Sequence, residues 1–262
     1  EENMAISPLR VIFNLNIAIL RSWSAWLRPA IQAGVVAALL FFCPASLYAQ
    51  QIIPGGTATV TLQSDYNGQS EFLLPAGSAI TAGGSGVVGD NSQNWLFTNQ
   101  GSIAAGSASA GSGIKLGSST LGLAQVVNSG RIVSSWNGGN GPSGVQFTNG
   151  GRVFNRSSGY IEGYDGVHTD HGSVLVENAG VIYGNSGGGT AVYSGQGATV
   201  TNLASGQILG KHYGISANGF NSNATIFNYG KISTSNRAVY LYHGVVYAVY
   251  NAPGAEISSG GS

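Results

Sequence analysis

The densest cluster of ionisable side chains is Glu162–Gly163–Tyr164–Asp165–Gly166–Val167–His168–Thr169–Asp170–His171, with Glu177 just beyond. Carboxylates near a histidine suit two kinds of chemistry. A carboxylate pair at a defined separation cleaves glycosidic bonds, one member acting as acid and the other as base or nucleophile. His168, Asp170 and His171 together offer the donor types of a metal site. The repeat register described below argues against both. It points His168 outward, with Gln146 below and Tyr193 above, and neither is a carboxylate. Asp165, Asp170 and His171 fall in turns. The pattern favours a solvated turn, and no catalytic residue, metal or cofactor is assigned.

Two further motifs carry less. Gly84–Ser85–Gly86–Val87–Val88–Gly89 has the letters of a dinucleotide-binding loop. That loop must open a helix, whereas Asp90–Asn91–Ser92–Gln93–Asn94 reads as a turn. Gly184–Asn185–Ser186–Gly187–Gly188 resembles the loop around a protease serine. No aspartate precedes Ser186, and His168 and His171 lie on the adjoining repeat, so a turn between coils is expected.

A file of outward side chains is more suggestive: Lys115, Gln146, His168, Tyr193, Ser216 and Tyr240. Further tyrosines lie close in sequence at positions 183, 213, 242, 247 and 250. Aromatic rings stack on sugars and anchor protein partners. His168, Tyr193 and Tyr240 are therefore the candidate ligand contacts, with a host glycan or matrix protein as the partner.

What positions these residues is a repeat. An apolar residue, any residue and Asn, followed by Gly, any residue and Ile, return about every two dozen positions. The asparagines are Asn99, Asn128, Asn155, Asn178, Asn202, Asn228 and Asn251. The isoleucines are Ile103, Ile132, Ile161, Ile182, Ile208, Ile232 and Ile257, with Ile80 in a degenerate first copy. Ile80 and Ile257 are 177 residues and seven steps apart, about 25 residues per step, a period that means a stacked repeat. Two positions before each Asn the residue is always apolar, from Phe97 to Val249, whereas the next position is mixed. Alternate side chains of a strand face opposite sides, so the apolar position and the Asn point inward. A third segment, such as Gly144–Val145–Gln146–Phe147 or Ala191–Val192–Tyr193–Ser194, has the same one-sided constraint.

Three short strands per 25 residues, with no helical period between them, predict an all-β parallel β-helix, each coil pairing with the next about 4.8 Å away. Stacked Asn amides would then hydrogen-bond along the axis, which offsets the cost of an inward polar group. The Gly after each Asn is expected to supply a turn with positive φ. An antiparallel sandwich also has many short strands, but it does not predict the same residue at the same place in every repeat.

The first 49 residues are of another kind. From Met4 to Gln50 there are three arginines and no acid, and Ala33 to Cys43 is an apolar run. Basic start, apolar core and small residue at the boundary describe a long, helical secretory signal, residues 1–49, with cleavage between Ala49 and Gln50. The run alone is short for a permanent anchor. Residues 50–262 form the second domain, without a single cysteine. There, seven basic residues face eight acidic ones, which gives no basic patch for nucleic acid. The chain stops at Ser258–Ser259–Gly260–Gly261–Ser262 with no polar cap of the sort solenoids need, so it is expected to be the first part of a longer protein.

The Asn–x–Gly–x–Ile run over residues 99–257 resembles the passenger of bacterial autotransporters, the type V secretion class. So do Gly55–Gly56–Thr57–Ala58–Thr59–Val60–Thr61–Leu62 and the step from Asp90–Asn91 to Trp95–Leu96–Phe97–Thr98–Asn99. Arg10–Val11–Ile12–Phe13–Asn14 is similar to the extended signal region of many such proteins. The resemblance implies a right-handed β-helix displayed outside a Gram-negative cell, with a C-terminal β-barrel in the outer membrane following in the chain. No barrel strands occur before residue 262. The lack of cysteine agrees with a passenger that crosses the outer membrane largely unfolded. The function expected is adhesion or host interaction without catalysis. The alternatives are a β-helical polysaccharide lyase or glycoside hydrolase, and a tail-spike or two-partner-secretion exoprotein.

Overall fold

Alternation of inward apolar and outward mixed residues gives short strands that pair only with their equivalents one repeat away. The computed structural model describes residues 50–66, 69–106, 111–120, 124–135, 141–219, 223–244 and 246–260. The assignments for residues 1–49, including the helical signal and Ala49, lie outside the described residues. Gln50 is the first described residue, and its amide donates to Thr98 Oγ1 over 3.1 Å.

Three parallel sheets wrap one core as a β-solenoid of about eight turns. The Asn sheet has nine strands, from Gln51–Ile52 to Val246–Asn251. The Ile sheet has eight, from Ala79–Ala82 to Glu256–Ser259. The third sheet also has eight, from Val60–Thr61 to Arg237–Tyr242. Strands follow chain order in every sheet, so each coil contributes one strand to each. The register is like on like. Ile80 pairs with Ile103, Ile103 with Ile132, and so on to Ile232 with Ile257. Phe97, Val126, Val153, Val176, Val200 and Ile226 are all buried at the inward position before the Asn.

The asparagines form an unbroken ladder, buried from Asn99 to Asn228 and exposed at Asn251. Each Nδ2 donates to the Oδ1 of the Asn in the next coil over 2.7–2.8 Å, from Asn99 through Asn128, Asn155, Asn178, Asn202 and Asn228 to Asn251. The same nitrogens also reach main-chain carbonyls of the next coil, as from Asn155 to Val181 and from Asn202 to Lys231. These bonds offset the desolvation of an amide with no exposed surface. The ladder starts abruptly. Leu74 occupies the register position beneath Asn99, so the Asn99 Oδ1 is buried without a partner. The rungs tolerate coils of different length, since consecutive asparagines are 29, 27, 23, 24, 26 and 23 residues apart.

The expected reason for the glycines is corrected. Of the glycines that follow the Asn in each repeat, only Gly254 has a positive φ, +83°. The others are needed because backbones approach closely. A Cβ on Gly130 would lie 2.0 Å from the Gly101 carbonyl oxygen, and one on Gly180 would lie 2.2 Å from that of Gly159. The pairing of coils leaves no room there for a methyl group.

One helical turn was not anticipated. The segment α1 (Leu62–Asp65) follows the first strand of the third sheet and packs against that sheet's first two strands. Its Leu62 is fully buried, and the Asp65 carboxylate accepts the Thr61 N–H over 2.8 Å. Beside it, Phe72 packs against Tyr66 at 5.6 Å and Trp95 at 6.0 Å. At the other end of the stack Val249 takes the inward position yet is 48% exposed, because no described coil lies above it.

Candidate functional site

The outward file forms as the register predicts. Lys115 pairs with Gln146, Gln146 with His168, His168 with Tyr193, Tyr193 with Ser216, and Ser216 with Tyr240. All lie on the outer side of the third sheet, and the sheet holds them one strand spacing apart.

His168 is the most constrained member. Its Nδ1 lies 2.7 Å from Asp165 Oδ2, and its Nε2 lies 2.9 Å from Asp170 Oδ1. With a carboxylate on each ring nitrogen, both contacts are satisfied as donors only in the protonated ring, so the arrangement favours the imidazolium. Burial alone would lower its pKa. The hydrogen bonds and charges of Asp165 and Asp170 outweigh that and hold it above the ordinary histidine value. The ring also stacks on Tyr193 at 4.7 Å and 22°.

Asp165 departs from the expected solvated turn. It is only 5% exposed. Its Oδ1 accepts the Thr190 N–H over 2.8 Å, while Oδ2 faces His168. The reason lies in the corner it occupies. Ser112, Ser143, Asp165 and Thr190 hold the equivalent place in successive coils, and all four are buried. Their carbonyls accept the coil-to-coil bonds of Gly86, Gly113, Gly144 and Gly166. That run of polar residues before each small–β-branched pair was the signal from which the burial of Asp165 was readable. Asp170, in contrast, is exposed as expected. His171 lies in a bend, and its carbonyl accepts the Thr169 hydroxyl over 2.6 Å. No group of three or more metal-ligating side chains occurs among the described residues.

A groove of about 400 Å³ opens beside this cluster. His168 and Tyr193 line one part of it, and Tyr213 and Tyr240 another. Tyr213 stacks on Tyr240 at 4.9 Å and 12°, and Tyr240 on Tyr242 at 5.8 Å and 13°. The Arg237 guanidinium lies 5.0 Å from the Tyr240 ring centre, a cation–π contact. Ser216, between Tyr193 and Tyr240 in the register, lies in the groove and is 2% exposed. The structure thus brings His168, Tyr193 and Tyr240 together around one opening, and adds Tyr213, Ser216 and Asn218. Tyr213 escaped the sequence pattern because it begins its strand at the corner, paired with Thr190 and Arg237, instead of standing in the outward file.

The other motifs stay apart from chemistry. Val87–Gly89 is a strand followed by a turn, with no helix opening from it. Ser186 lies in the turn closed by the Gly189 N–H to its carbonyl, 2.9 Å. Its Oγ is buried with no hydrogen-bond partner, so no histidine activates it. Tyr247 and Tyr250 sit on the Asn sheet, where Tyr250 packs near Phe227 at 6.4 Å and Tyr229 at 5.9 Å. Tyr183 is on the Ile sheet.

Comparison with protein-family models, with curated proteins and with solved structures found no match.

Proposed function

We propose that residues 50–262 are an exported β-solenoid that makes surface contacts, the passenger of an autotransporter, whose task is adhesion or host interaction without catalysis. On this reading the first 49 residues direct export, and the solenoid is displayed outside a Gram-negative cell, attached through a following outer-membrane barrel. One observation carries the contact role. The regular inward positions are engaged in packing and in the Asn ladder, whereas the irregular outward ones gather as aromatic walls around a groove. Extracellular glycans and matrix proteins are the partners this surface suits.

A second reading has its own support, the His168 ring held between two carboxylates beside that groove. It would be a polysaccharide-cleaving enzyme. The bonding weighs against it, because both Asp165 oxygens and both His168 nitrogens are already engaged within the protein, leaving neither residue free as an acid or base. Incubation of the purified chain with plant, algal and bacterial polysaccharides tests the choice. Attachment without a rise in reducing ends or unsaturated products is expected. Turnover that vanishes in His168→Gln with the fold intact would establish the enzyme instead.

A further inference from the structure

We infer that the groove between Tyr193 and Tyr240 is a subsite for one or two rings of a neutral saccharide. The inference rests on the contact reading above and names its ligand. Three observations carry it.

The walls are aromatic and stacked. His168 on Tyr193, and Tyr213 on Tyr240, hold the rings in fixed orientation through cross-coil stacking. Rings fixed this way lose little freedom on binding, which favours affinity. The C–H faces of a sugar ring match such surfaces.

A polar group waits inside. Ser216 is 2% exposed, and no hydrogen bond of its hydroxyl to a described residue occurs. Every other outward residue from Gln146 to Tyr240 is larger, so the serine leaves a notch in the file. The hydroxyl reaches the solvent of the groove, where a ligand hydroxyl can take the place of water. The Asn218 side chain, exposed at the same groove, offers a donor and an acceptor beside it.

Phenols aside, the ionisable groups that line the groove are paired with each other. Asp165 is engaged by the Thr190 N–H and His168, and His168 by both aspartates. The Arg237 guanidinium lies against Tyr240. Apart from Asp165 and His168, which are bonded to each other, what faces the ligand is phenol, hydroxyl and amide, and this lining offers a carboxylate or ammonium ligand no free counter-charge. The volume, about 400 Å³, is at the small end of ligand pockets and suits a mono- or disaccharide unit.

The test uses the full chain on an array of neutral hexose and N-acetylhexosamine oligosaccharides. Titration with the free sugar of the strongest spot follows, with choline and galacturonate as charged competitors. Binding of a neutral sugar is expected, at least tenfold weaker in the Tyr193→Ala/Tyr240→Ala double variant and in Ser216→Phe. It should be kept in Tyr193→Phe and in Tyr250→Ala, which lies on another sheet. Circular dichroism of each variant shows whether the solenoid is intact. Silence of all neutral sugars, preference for choline or galacturonate, or sugar binding indifferent to the groove variants would each overturn the subsite. Attachment of the chain to matrix proteins that the double variant loses, yet no free sugar competes, would retain the contact role and remove the saccharide. Attachment to nothing would remove both.

Discussion

Inside the solenoid, asparagines stand one above another in seven successive coils, and those between the two ends make the same bonds. Outside, on the third sheet, no two neighbours in the file Lys115, Gln146, His168, Tyr193, Ser216, Tyr240 are alike. Both files are spaced by the same strand pairing, so the backbone does not cause the difference. The interior has one solution to a buried amide, and every coil from Asn99 onward uses it. The outer face has no such constraint, and what accumulates there is free to be specific. In a stacked repeat, sameness marks what holds the coils together, and departure from sameness marks where to look for a role.

The contrast can be broken most directly from the inside. Asn178→Leu should cost about 3 kcal/mol of stability, because it strands the Asn155 Nδ2 donor below and the Asn202 Oδ1 acceptor above. Chemical denaturation measures this, and an unchanged midpoint would mean the ladder is not what joins the coils. Asp165→Ala should follow at about 2 kcal/mol, since the Thr190 N–H and the His168 ring both lose their carboxylate partner. That result would show an outward site borrowing an inward type of anchor. A negligible loss would return Asp165 to the solvated class.

The third prediction concerns pH. His168 titrates above its ordinary value in the folded chain. Its contribution is therefore full below the unfolded value, about pH 6.5, and is lost as pH rises through the folded one. The charged or titrating groups facing it are Asp165, Asp170 and Tyr193. Burial, then the charges of Asp170 and Asp165, raises the Tyr193 phenol as well, which keeps it neutral through the window. The gap in melting temperature between the wild type and His168→Gln should be widest near pH 6 and narrow steadily towards pH 9. A gap independent of pH would mean the ring is held by packing and not by its charge.

The smallest stability effect belongs to the aromatic walls. Tyr193→Ala and Tyr240→Ala should each cost under about 1 kcal/mol, the scale of a ring contact, while surface attachment falls sharply. Loss of stability matching that of Asn178→Leu would erase the distinction between the two files.

The sequence made the repeating part legible, because a constraint that recurs seven times is visible without coordinates. The Asn rungs, the Ile file, three strands per coil and the His168–Tyr193 register were all readable from it. What was missed occurs once, or depends on distances between coils. The motif glycines looked like turn formers, but only the approach of neighbouring backbones shows that Gly130 has no room for a Cβ. α1 has too few residues to display a period. Asp165 looked like a turn acid because strand alternation does not describe corners, and only the polar residues recurring at Ser112, Ser143 and Thr190 marked its burial. Tyr213 meets Tyr240 across a coil boundary, from a position the strand alternation does not describe.

The uneven spacing of the rungs has a practical meaning. Three residues separate Gly163 from Val167 in one coil and ten separate Ser134 from Val145 in another, and the sheets on either side keep their register. Length is absorbed at the bends, where neither amide rungs nor core side chains depend on it. The molecule is thus a ruler with interchangeable corners. A foreign peptide spliced into such a bend should be presented at a height fixed by the coil chosen, and two peptides in neighbouring coils should stand about 5 Å apart.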